Sequence, residues 1–113
     1  MRIAIPITGN SMEQHFGHCE RFVLLDIDPD TRTIRTTTEV PAPEHQPGLL
    51  PRWLKERDVT HVIAGGIGSH ARSLCGELSI EVIAGAPSDA PAVLVRSYLD
   101  GSLVTTEHLC HHH

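Results

Sequence analysis

No stretch of the sequence approaches the ~20 consecutive apolar residues that a membrane-spanning helix requires. The opening MRIAIPIT alternates as a strand does instead of running apolar like a signal peptide. A cytoplasmic protein without membrane contact is expected. Basic residues are also short: nine Lys and Arg stand against 14 Asp and Glu, a formal charge of −5 with His neutral. That balance disfavours phosphate-rich partners, so nucleic acid is not an expected ligand. Cysteine is sparse as well. Cys19, Cys75 and Cys110 form an odd set at irregular spacing, a poor disulfide framework that suits reduced thiols. No internal repeat divides the chain.

Histidine is what the chain has in excess, and six of its nine stand in two knots, HFGHC at 15–19 and HLCHHH at 108–113. With 113 residues, 40% of them hydrophobic, the chain can build one core, so a single domain over 1–104 followed by a Cys/His-rich tail at 105–113 is expected.

Period-two alternation of Ile3, Ile5 and Ile7 makes RIAIPIT a strand. In RFVLLDID, Val23, Leu25 and Ile27 share one face while Phe22 and Leu24 take the other, the pattern of a strand buried on both sides. The turn residues of DPDT and the threonine-rich RTIRTTTEV predict a hairpin. Three prolines and a glycine make residues 41–48, including His45, an irregular connection. Leu50, Trp53 and Leu54 at i, i+3 and i+4 predict a helix ending near Arg57 or Asp58. HVIAGG then reads as a strand, GIGSHARSLCGEL as a helix with Ala71, Leu74, Cys75 and Leu78 on one face, and IEVIAG as a strand. A last helix has Ser88 or Asp89 as its cap, Pro91 in its first turn, Leu94, Val95 and Tyr98 on one face, and Gly101 as its stop. The order β-β-β-α-β-α-β-α predicts an α/β fold whose mixed, five-stranded sheet is covered by helices.

In the HFGHC loop, Gly17 permits a tight turn that brings neighbours together. Neutral imidazoles from His15 and His18 and a thiolate from Cys19 suit zinc, copper, nickel or iron. The alternative is a plain loop with Phe16 packed inward, since H-x-x-H-C is not a standard zinc spacing. GGIGSH joins a strand to a helix, and backbone N–H groups at such a helix start receive anions; Gly66, Gly68, Ser69 and His70 are the candidates. It lacks the full dinucleotide fingerprint, and the competing explanation is close packing allowed by the glycines. Cys75, on an apolar stripe, reads as core. His61, at the start of a buried strand, and Tyr98, on a helix face, read as structural. His108, Cys110, His111, His112 and His113 will bind a divalent transition metal when deprotonated. Terminal histidines can also be an added tag, but a reactive cysteine is seldom placed directly before one.

IAIPIT followed by HFGHCERFVLLDID, then LLPRWLKERDVTHVIAGGIGSHARSLC and AVLVRSYLDGSL, resemble the dinitrogenase iron-molybdenum cofactor biosynthesis family, the NifX-like small cluster-binding proteins, over residues 1–104. The resemblance implies a ribonuclease-H-like three-layer fold. It also implies a non-enzymatic carrier for an iron-sulfur or molybdenum-containing cluster, with His15 as the family's histidine and with cluster donor and acceptor proteins as partners. A monomer or weak homodimer is expected. On this reading the helix start from Gly68 to His70 receives the cluster's charge while His15 or Cys19 bonds metal. Alternatives are a zinc, nickel or copper buffer working through the tail and a non-catalytic regulatory interaction module. A nuclease is disfavoured because RIAIPIT has no carboxylate and only Asp26 and Asp28 stand nearby.

Overall fold

The computed structural model describes residues 1–44, 46 and 48–105. His45 and the segment 106–113, with His108, Cys110, His111, His112 and His113, lie outside the described residues. The elements are β1 (Arg2–Thr8), β2 (Ser11–Met12), β3 (Arg21–Asp28), β4 (Thr33–Pro41), α1 (Leu49–Glu56), β5 (His61–Ile63), α2 (Ser69–Glu77), β6 (Glu81–Ile83) and α3 (Pro91–Asp100). The five expected strands and three helices occur in the expected order, and the addition is β2, a two-residue strand antiparallel to β1.

The sheet runs β4-β3-β1-β5-β6. β3 is antiparallel to both β1 and β4, whereas β1, β5 and β6 are mutually parallel. Helices cover both faces, and the period of two in the strands decides which side chains go where. Ile3, Ile5 and Ile7 of β1 join Val23, Leu25 and Ile27 of β3 under Leu94 and Val95 of α3. Ala4, Phe22 and Leu24 point the other way, against Trp53 and Leu54 of α1 and Cys75 of α2. Each buried aliphatic side chain contributes ~1.5–3 kcal/mol, and β1 buries Ile3, Ile5 and Ile7 almost completely. The hairpin turn forms as DPDT predicts: Asp28 Oδ1 accepts the N–H groups of Asp30 and Thr31. Along β4 the pairing slips: Asp26 faces Thr36 but Ile27 faces Ile34. Arg35 is therefore an extra residue in this exposed edge strand, a bulge of the kind that discourages edge-to-edge pairing.

One expectation about α3 is corrected. Neither Ser88 nor Asp89 caps it; Ala90 occupies the cap position without a side-chain hydrogen bond. Both residues instead hold β2, since Ser88 Oγ donates to the Met12 carbonyl at 2.7 Å and the Asp89 carbonyl accepts the Met12 N–H at 3.0 Å. Gly101 ends α3 at φ 82, as its position predicted. Among the described residues no helix is long and apolar enough to cross a membrane.

The chain leaves β1 towards β3 on one side, while β5 lies on the other. The connections from the carboxyl ends of β1 and β5 thus lead to opposite sides of the sheet, and in open α/β sheets this switch point is where a ligand crevice forms.

Candidate functional site

After β1 the chain turns at Gly9, makes β2, and crosses to the end of β5. Gln14 accepts the Gly66 N–H on its carbonyl at 2.6 Å, and Gly66 accepts the Phe16 N–H at 3.0 Å. These bonds form a one-residue parallel bridge between His15 and Gly66, so the HFGHC and GGIG segments, about fifty residues apart in sequence, meet through the backbone. Residues Phe16–His18 then close a single 3-10 turn, with the His18 N–H on the His15 carbonyl at 3.0 Å. The turn drives Phe16 into the core, edge-on to Phe22, and leaves His15 and His18 on the surface with ring centroids 5.9 Å apart. The inward Phe16 and the presentation of imidazoles, set out as alternatives, coexist.

Glycine allows this approach. A Cβ on Gly65 would lie 2.8 Å from Gln14 Oε1 and 3.0 Å from the Gln14 carbonyl oxygen, and one on Gly66 3.2 Å from that oxygen. Gly68 has open space around it and serves as the extended residue before α2. Close packing therefore explains Gly65 and Gly66, but against the histidine loop. Sequence reasoning missed Gly65 and Gln14; the doubled glycine after a buried strand was the available signal.

A cleft of about 420 Å³ opens beside this bridge. His15 and His18 line one side; Gly48, Leu50 and Pro51 at the start of α1 and Gly68, His70 and Ala71 at the start of α2 line much of the rest. Two helix N-termini thus face the same space, each with backbone N–H groups lacking helical acceptors and a positive dipole end. Among its described lining residues there is no Asp or Glu. The nearest carboxylate on His15 is Glu13, whose Oε2 accepts the His15 N–H at 3.2 Å and stands 3.6 Å from His15 Nδ1. Glu13 is held below the usual carboxylate range, first by a hydrogen bond from the Thr8 side chain and then by the His15 N–H.

His15, His18, Gly66, Gly68 and His70 are thus brought to one cleft. Ser69 is exposed but does not line it. Cys19 does not line it either: half-buried, it packs against the layer under α1 and α2, and burial pushes its thiol up to about 11. Among the described residues no three His, Cys, Asp or Glu side chains gather closely enough to hold a metal ion. Cys75 is buried in the same layer. His61 and Tyr98 meet Glu81 across the opposite face: Tyr98 donates to Glu81 Oε2 at 3.0 Å, and His61 Nε2 lies 3.7 Å from that oxygen.

A larger cavity, about 770 Å³, lies between α3 and the β3–β4 turn and is lined by Arg32, Arg96 and Asp100. It contains no imidazole or thiol, and Arg32 already donates to the Leu99 carbonyl. The smaller cleft, by contrast, is lined by the three imidazoles of His15, His18 and His70. Asp26 and Asp28 are both engaged: Asp26 pairs with Arg2 at 2.7 Å and accepts from Thr36, while Asp28 binds its own turn. Asp26 lies opposite Arg2, at the amino end of β1 and away from the cleft.

A family model described as dinitrogenase iron-molybdenum cofactor matches residues 1–101. The protein MJ0580 of Methanocaldococcus jannaschii is 27% identical over 106 residues, covering 91% of this chain and 89% of the relative. The crystal structure of PH0822 superposes with a TM-score of 0.86 at 25% identity, covering 98% of this chain and 99% of that one. The apo form of the orange protein from Desulfovibrio gigas superposes with a TM-score of 0.70 at 20% identity, covering 93% and 92% of the two chains. This last likeness is one of fold.

Proposed function

This chain belongs to the dinitrogenase iron-molybdenum cofactor family, and on that premise we propose that it carries an iron-sulfur or molybdenum-containing cluster in the cleft between the HFGHC loop and the starts of α1 and α2. It receives the cluster from a donor protein and delivers it to an acceptor without catalysing a reaction. The observation that supports this most is the lining of the cleft: three imidazoles and two helix starts, with no carboxylate among the described lining residues, in a chain of net charge −5.

Metal–sulfur clusters are commonly anionic. An acidic protein holds an anion where oriented N–H groups and helix dipoles set the local field, whatever its overall charge. His15 and His18 offer imidazole nitrogens to exposed metal atoms, and His70, at the start of α2, lines the same cleft. A carrier must release its cargo, so few protein ligands in an open cleft suit it better than a closed four-ligand site. The ribonuclease-H-like name for the fold, a cytoplasmic setting and a monomer or weak homodimer belong to the same proposal. The strand order, with β3 reversed in an otherwise parallel sheet, supports the fold name.

Anaerobic reconstitution tests it. The wild-type chain should acquire metal, sulfide and a cluster absorption spectrum, and His15→Ala should weaken binding roughly tenfold or more. Unchanged binding in His15→Ala would remove the assignment of the cleft.

A further inference from the structure

At 77% exposure, the His15 side chain has little packing to fix its ring, so the nitrogen it turns to the cleft depends on polar neighbours. Glu13 is the neighbour placed to decide it. Its backbone is anchored on both sides: the Met12 N–H donates to the Asp89 carbonyl, the Glu13 N–H to the Pro6 carbonyl at 2.8 Å, and the Gln14 carbonyl accepts the Gly66 N–H. The Glu13 side chain is only 20% exposed. It is held by the Thr8 hydroxyl at the end of β1 and by the His15 N–H, which Oε2 accepts at 3.2 Å. That same oxygen stands 3.6 Å from His15 Nδ1.

The carboxylate is thus fixed and the exposed ring is free to turn to it. Their separation is slightly longer than a hydrogen bond of about 2.7–3.2 Å, and a small rotation of the ring closes the gap. An ionised carboxylate only accepts hydrogen bonds, so it selects the imidazole form with its proton on Nδ1. Nε2 then carries the lone pair. On a metal–sulfur cargo the difference has a chemical consequence: an Nε2 lone pair bonds a metal atom, whereas an Nε2–H donates to a sulfide. A histidine whose other nitrogen donates to a carboxylate is also a more basic and better oriented ligand.

We propose that Glu13 is a positioning residue: it holds the His15 imidazole through Nδ1–H and so commits Nε2 to a metal atom of the cargo, leaving the cargo's negative charge to the starts of α1 and α2. Glu13 sets which nitrogen bears the proton, not whether the ring is charged. It stands outside the described lining of the cleft and acts through His15. The inference rests on the cargo reading of the cleft, which makes His15 a ligand.

Long-range proton–nitrogen NMR correlation on the full, isotope-labelled chain reads the imidazole nitrogens directly, at about pH 8.5, where an ordinary imidazole with a pKa of about 6.5 is neutral. The His15 signals are those that His15→Ala removes. In the wild type they should show Nδ1 protonated, against the Nε2–H form that free imidazole side chains favour. Glu13→Gln keeps an oxygen for the His15 N–H but replaces the carboxylate with a group that also donates. Its His15 should move towards the Nε2–H form while His70 stays as it is, and in anaerobic reconstitution it should hold a cluster roughly tenfold more weakly. An Nε2–H form of His15 in the wild type overturns the proposal whether or not the variant folds, and so does a tautomer that Glu13→Gln leaves unmoved. A cluster that is lost in His15→Ala but held at full strength in Glu13→Gln would overturn the positioning role and leave the carrier reading standing. A tautomer that shifts in Glu13→Gln, in a chain that reconstitutes no cluster, would support the hold of Glu13 on His15 and remove the carrier reading.

Discussion

Gln14 and Gly65 show how much of the site depends on single atoms. A Cβ added at Gly65 would stand 2.8 Å from Gln14 Oε1 and 3.0 Å from the Gln14 carbonyl oxygen, so Gly65→Ala must swing the Gln14 side chain aside and shift its backbone, which carries the bridge to Gly66. A stability loss of about 1–3 kcal/mol is expected, as for other overpacked sites, together with weaker cargo binding. Gly68→Ala meets nothing within 4 Å and should change stability by less than about 1 kcal/mol, because a poorer cap and a stiffer unfolded chain oppose each other. Urea denaturation of the two variants checks the contrast. Equal effects would show that the bridge is not the constraint. At Cys19, whose thiol is raised to about 11 by burial, the thiolate is scarce at neutral pH, so alkylation by iodoacetamide should be much slower than for an unstructured cysteine peptide. Mass-spectrometric time courses at rising pH should show its rate still increasing above about pH 9; a plateau near the ordinary thiol range of about 8.5 would contradict it. The sequence marks Cys19 as a ligand because it adjoins His18. It does not show that one residue along an extended backbone reverses the side chain's direction, which puts the thiol against the core.

Elements with sustained periodicity were legible and those without it were not. The two faces of β3 could be read in full from RFVLLDID, since its adjacent apolar residues must divide between two layers. α1 and α3 likewise follow from apolar residues at i, i+3 and i+4. β2 could not be read, because two residues have no period and, beyond its pairing with β1, the bonds that hold it come from Ser88 and Asp89, more than seventy positions away. The same two residues resemble helix caps locally, and the tertiary bonds to Met12 prevailed. A prediction at this scale concerns the amino end of β1, where Arg2 grips Asp26 through two nitrogens at 2.7 and 3.2 Å. The Asp26 carboxyl is held below its usual range, chiefly by the Arg2 hydrogen bond and next by Thr36. Folding therefore favours the carboxylate. That stability is present above the unfolded pKa of about 3.9 and is lost as pH falls through the lower, folded value. Asp26→Asn should cost about 1 kcal/mol at pH 7, a figure discounted for a pair that is about one-third exposed, and should make the acid-side decline shallower. Denaturation at pH 7 and pH 3 measures both; an equal loss at the two values would mean the charge is not the cause.

For the molecule as a whole, the sheet order does what neither histidine motif does alone. HFGHC and GGIG stand out separately in the sequence, each with an ordinary explanation available. Only the parallel pairing of β1 with β5 places their loops side by side, at the point where the chain departs to opposite sides of the sheet. The resemblance to the cofactor family joined the two motifs before the fold did, whereas the contribution of α1's first turn to the cleft had no sequence signal: Gly48 read there only as part of an irregular connection and Leu50 as one of the helix's apolar residues. The proposed function has this crevice hold a metal–sulfur cluster through imidazoles and helix starts. Its most direct test is anaerobic reconstitution of the full chain, with metal and sulfide analysis and an absorption spectrum, for the wild type, His15→Ala and His70→Ala. A sulfide-containing chromophore is expected in the wild type, with weaker retention in both variants. A wild-type protein that takes up no metal or sulfide, or variants that retain the chromophore as firmly as the wild type, would contradict it.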